Sequence, residues 1–155
     1  MSQFGAPTKE LIKRRLEFVV AEISSATPKY DQAITFTLRS LSNYASVGFD
    51  GNSFQIKRQN DRISDAAKDL RVQLNDDRLW ASNTINEHPL PLKDLWKKWS
   101  GDVKNLTIHK IWADLVDHPM ITVTKAEDSK LREKAKHGYK DWRERYANAN
   151  ILIHE

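Results

Sequence analysis

Apolar residues recur at intervals of three and four along most of this chain, a spacing that gathers them on one face of an α-helix rather than one side of a strand. Ile12, Leu16, Val19, Val20 and Ile23 predict a helix over 9–24, with Thr8 placed to cap it. Thr27 before Pro28 marks the start of a second, whose stripe is Tyr30, Ile34, Leu38, Leu41 and Ala45. Ile63, Ala67, Leu70 and Leu74 predict a third, closed by Asn75-Asp76-Asp77. Two shorter ones carry Leu92, Leu95, Trp96 and Trp99 after Pro91, and Ile108, Ile111, Trp112 and Leu115 after Gly101. Thr124 and Glu127 form a capping-box pattern that opens another helix toward Gly138, with Trp142 and Tyr146 on a further turn or two.

Where the period fails, the chain reads differently. Residues 78–91 show no helical spacing and are expected to be mostly loop, with Leu79-Trp80 and Thr84-Ile85 as short strands or irregular chain. Met120 to Thr124 is rich in β-branched residues and predicts a strand, with Ile151-Leu152-Ile153 as its partner. The predicted fold class is mainly α: a compact domain of five to seven helices with a small two-stranded β element near the C-terminus. At 155 residues a single domain over 1–155 is expected, with a flexible tail at 1–7 and a flexible loop at 46–53 around Gly48 and Gly51.

The chain has no cysteine, which excludes disulfides, thiolate zinc sites and cysteine nucleophiles. No run approaches the roughly 18 to 20 apolar residues that cross a bilayer, and Met1 to Arg15 lacks the order of a secretory signal, so a cytoplasmic, membrane-free protein is expected. The net charge of +4, from 25 Lys and Arg against 21 Asp and Glu, is spread along the chain. A pI near 9.3 suits contact with nucleic acid or an acidic partner. No glycine-rich phosphate loop, Gly-x-Ser-x-Gly elbow or His-Glu-x-x-His helix occurs, so the common ATP-using and hydrolase classes are not expected.

Asn86-Glu87-His88-Pro89-Leu90-Pro91 sets an acid–histidine pair among prolines, where an imidazole titrating near neutrality can act as a general base. Asn105 follows His88 by 17 residues and Asp114 comes nine later. This order resembles the HNH, or ββα-metal, endonucleases, in which an acid-His-x-x-Pro segment precedes an asparagine and then a metal ligand. The resemblance covers fewer than 30 of the 155 residues. It implies His88 as the base that activates water, Asn105 as the residue orienting its loop, and Glu87 with Asp114 as ligands to a divalent metal ion. Where that family has a glycine-rich turn, a Trp-rich amphipathic helix follows here, and the final position is Asp rather than His or Asn. A second acid-His-Pro, Asp117-His118-Pro119, has His109 upstream, but nine helical residues point the two imidazoles oppositely.

Lys125 to Arg145 carries eight Lys or Arg against five acids, interleaved with Tyr139, Trp142 and Tyr146. Lys130, Lys134, Lys136, Lys140 and Arg143 are the candidate phosphate contacts, and Trp142 the candidate stacking platform for single-stranded nucleic acid. Acids and bases three or four apart, such as Asp128 with Arg132, equally describe a solvated helix face. Trp96, Trp99 and Trp112 belong to apolar stripes and are expected in the core, which leaves Trp80 or Trp142 to anchor a partner. The expectation is a cytosolic accessory protein that contacts nucleic acid or a nucleoprotein complex, with metal-dependent nuclease activity as its catalytic form. The alternative is a non-catalytic module that binds another protein through an aromatic patch.

Overall fold

A computed structural model describes residues 1–135 and 141–154, and side chains in all of these except 134 and 135. In chain order the elements are α1 (Ala6–Ile23), α2 (Gln32–Val47), α3 (Ser53–Gln59), β1 (Ile63–Ser64), α4 (Asp65–Leu74), α5 (Asp77–Ser82), β2 (Thr84–Glu87), α6 (Leu92–Ser100), a 3-10 turn (Val103–Asn105), α7 (Ile108–Asp117), β3 (Ile121–Thr124), α8 (Lys125–Ala135), α9 (Trp142–Asn148) and β4 (Ile153–His154). The chain divides into two units, each built from two stretches of sequence: Met1–Asp50 with Leu90–Pro119, and Gly51–Pro89 with Met120–Glu155. Among the described residues no helix is long and apolar enough to cross a membrane.

The first unit packs α1, α2, α6 and α7 around one core. The stripes read from the sequence supply it: Leu16 and Val19, Leu38 and Leu41, Leu95 and Trp99, Ile111 and Leu115 are all at most 2% exposed. Each such side chain contributes roughly 1.5–3 kcal/mol by leaving water. Pro7 sits in the first turn of α1, so the helix begins before Thr8, and Phe4 is buried edge-on against Tyr44 and Trp112. Asp31, rather than Thr27, caps α2 by accepting from the Ile34 N–H. At the other end Gly48 takes the left-handed conformation that closes the helix (φ 83°), and the Asp50 carboxylate just beyond accepts from Ser40 Oγ and Asn43 Nδ2, each at 2.7 Å.

The second unit is a mixed four-stranded sheet of order β2-β3-β1-β4 with helices against it. β3 runs antiparallel to β2 (Ile85 opposite Val123) and parallel to β1, and β1 runs antiparallel to β4. The expected strand pair is therefore corrected: Ile121–Thr124 is a strand, but of Ile151 to Ile153 only Ile153 is, in β4, and β1 stands between them. Within 78–91 the short strand expected at Thr84-Ile85 extends to Glu87, and Leu79-Trp80 is helical in α5. Ile63, assigned by its spacing to a helix, belongs to β1, and Ser64 is the N-cap that starts α4 one residue later. Two helices went unseen in the sequence, α3 with an Asn52–Gln55 capping box and α5 capped by Asp76. The Thr124–Glu127 capping box is present with both bonds, at 2.8 and 3.1 Å. Ile121, Val123, Leu131, Trp142, Tyr146 and Ile151 form the core on the α8–α9 side.

Candidate functional site

Glu87 ends β2 and is 7% exposed. Its Oε1 accepts from Arg145 Nη1 at 2.8 Å, and its Oε2 accepts a short hydrogen bond from the Tyr146 hydroxyl. Arg145 is buried as well and also donates to the carbonyls of Pro89 (3.2 Å) and Leu131 (3.3 Å), tying β2 to α8 and α9. Burial pushes the Glu87 carboxyl above its ordinary range, against the lowering pull of Tyr146 and Arg145. Burial and the adjacent carboxylate push the Tyr146 phenol up, so it stays protonated and donates. His88, next in the chain, is half-buried.

Glu87 and His88 belong to the second unit, Asn105 and Asp114 to the first. The Asn105 amide donates to Asp102 at 2.8 Å, and the Asp114 oxygens accept from Lys98 Nζ (2.8 Å) and Trp99 Nε1 (2.7 Å). All four carboxylate oxygens that the resemblance implies as metal ligands thus already accept from protein donors. A cation at either residue would meet a resident positive charge, Arg145 on Glu87 and Lys98 on Asp114. Among the described residues no three His, Asp or Glu side chains are grouped so as to hold a metal ion.

In the basic run, Lys130 and Arg143 are exposed, and Arg132 pairs with Asp128 at 2.9 Å as its helical spacing suggests. Trp142 is 5% exposed and edge-on to Tyr146, so the expected stacking face is buried; the Arg143 guanidinium lies 4.2 Å from its ring centre. Lys136 and Lys140 lie outside the described residues, as do Tyr139 and the Lys134 side chain. Trp80 is fully buried, its indole N–H donating to the Ala67 carbonyl at 2.8 Å.

A different arrangement does present cations and an aromatic ring to solvent. On the second unit, α3 carries Phe54 and Arg58, α4 carries Arg71, and α5 carries Asp77 and Arg78. The Arg58 and Arg78 guanidinium carbons lie 5.5 and 5.7 Å from the Phe54 ring centre, within cation–π range, and Arg71 stands 4.6 Å over Trp80. Asp77 bridges two of these arginines: it accepts from Arg71 at 2.9 and 3.1 Å and pairs with Arg58 at 3.2 Å. The hydrogen bond from Arg71 holds the Asp77 carboxyl below its ordinary range. Asn52, Ser53, Phe54, Arg78 and Ala81 line an open pocket of about 500 Å³ beside this group.

No protein-family model, curated protein or solved structure matches this chain. The arginine–phenylalanine surface went unread in the sequence because its cations stand at 58, 71 and 78, on three elements, and no run of charge marks them. The one local signal was Asn52-x-x-Gln55, which would have placed Phe54 and Arg58 one turn apart on a short helix.

Proposed function

We propose that this protein contacts nucleic acid through the arginine–phenylalanine surface of the second unit. The observation that supports this reading is Phe54 with two guanidinium groups over it, one tethered through Asp77 to a third. Guanidinium forks match phosphate oxygens, and a ring among them gives an unstacked base a platform. The reading is of binding rather than cleavage, because the Glu87 and Asp114 carboxylates are already paired with the cations Arg145 and Lys98.

Fluorescence anisotropy with labelled single-stranded and duplex oligonucleotides tests it. Binding is expected to favour single strands and to weaken with salt at a slope of about −0.7 per phosphate contacted. Arg58→Gln is expected to flatten that slope. If the native protein binds no oligonucleotide at low salt, the reading fails. The protein-interaction alternative then takes first place, with Phe36 at 66% and Phe18 at 43% exposed on the first unit as its candidate contacts.

A further inference from the structure

The arginines around Phe54 are not equivalent. Arg58 and Arg71 are both held by Asp77, and Arg71 is further fixed over Trp80. Arg78 reaches the Phe54 ring, yet among the described residues its guanidinium has no ion pair and no hydrogen bond. The two acids that precede it in sequence do not neutralise it. Asp76 Oδ1 accepts from the N–H groups of Arg78 and Leu79 at the start of α5, and Asp77 faces Arg58 and Arg71. The Ser53 hydroxyl, on the same pocket, likewise has no hydrogen bond among the described residues.

The rest of the pocket is fixed and less polar. Ala81 forms a wall whose carbonyl is held by the buried Lys57 ammonium at 2.6 Å. In the capping box the Asn52 N–H is taken by Gln55 Oε1 and the Gln55 N–H by Asn52 Oδ1. A ring, a small apolar wall, a fork of five N–H donors with no counterion among the described residues and one hydroxyl therefore line one open surface depression.

We infer that this pocket takes one nucleoside phosphate unit, its base against Phe54 and Ala81 and its phosphate on Arg78 and Ser53. The inference rests on the nucleic-acid reading for its biological setting. Its chemistry is the same whether the unit is a free nucleotide or part of a strand.

Amide and arginine side-chain NMR shifts, with matched affinity titrations, test it using adenosine and uridine monophosphate, the corresponding nucleosides, inorganic phosphate and a single-stranded decamer. The monophosphates and the decamer are expected to shift Ser53, Ala81 and the Arg78 Nε–H. Phe54→Leu keeps bulk in the pocket but removes stacking, and about a tenfold or greater loss of affinity is expected. Arg78→Gln should lose a similar factor for the monophosphates and nothing for the nucleosides. Melting curves like the native one establish that both variants fold. Inorganic phosphate binding as tightly as the monophosphates would overturn the inference, because the base would then add nothing. A decamer that binds without shifting the pocket, with Arg78→Gln harmless, overturns the pocket and leaves the nucleic-acid reading standing. Monophosphates that bind where the decamer does not support the pocket as a free-nucleotide site and end that reading.

Discussion

Replacing Glu87 by alanine isolates what the buried carboxylate does. In the native fold the Glu87 and Arg145 side chains are 8% and 5% exposed and pair at 2.8 Å. Removing one member of such a pair leaves the other buried and uncompensated, at about 3–5 kcal/mol. The carbonyls of Pro89 and Leu131 still accept from Arg145, which favours the low end, whereas the Tyr146 hydroxyl also loses its acceptor, which adds about 1–3 kcal/mol. A loss of about 4 kcal/mol is expected, read from urea unfolding in EDTA. Replacing the trio together, with Glu87→Leu, Arg145→Leu and Tyr146→Phe, removes the orphaned side-chain groups, though the Pro89 and Leu131 carbonyls lose the Arg145 donor, and is expected to recover part of it. A Glu87→Ala variant within about 1 kcal/mol of native would refute the argument and return the carboxylate to the list of residues available for chemistry.

Deleting residues 150–155 removes Ile151, 5% exposed in the second core, together with β4, and should cost about 2–5 kcal/mol; an unchanged melting curve would show that the tail stabilises nothing. Because Asp77 has a folded-state carboxyl held low by Arg71, its contribution to stability is present above the unfolded value near pH 4 and is lost as pH falls through the folded one. Asp77→Asn should accordingly flatten the acid limb of a urea-midpoint profile between roughly pH 2 and 5, and parallel limbs would contradict this. Trp80→Phe forfeits the bond to the Ala67 carbonyl and should destabilise by about 1 kcal/mol or more, checked by the same unfolding titration.

Spacing made the helices of the first unit legible because each buries a single face, so Ile12 to Ile23 and Ile108 to Leu115 announce themselves without knowledge of their neighbours. The same rule misled at Ile63. Its distance from Ala67 continues the stripe of α4 backward, and nothing in a period marks the cap at Ser64 where the backbone changes conformation. β1 is two residues long, too short for alternation to appear, and its place in the sheet depends on Thr122 and Ile153, distant in sequence. Glu87-His88 stood out as an acid–histidine pair, but the partner that decides the carboxylate's role lies 58 residues away. The basic run was visible because its charges are contiguous, and the grouping of Phe54, Arg58 and Arg78 was not, because packing rather than order brings them together.

The interior position of β1 also bears on how the chain emerges from a ribosome. Every element of the first unit has been made once Pro119 is out, so its four helices can close early. β1 is synthesised long before either of its neighbours, and its ladder groups await β3 on one side and β4 on the other. A chain stalled between residues 125 and 150 holds a complete first unit and a second whose sheet has an open edge, the kind of edge that recruits other strands. The last residues therefore act as the clasp of the second unit, and premature termination there is expected to yield aggregation rather than a shorter working protein.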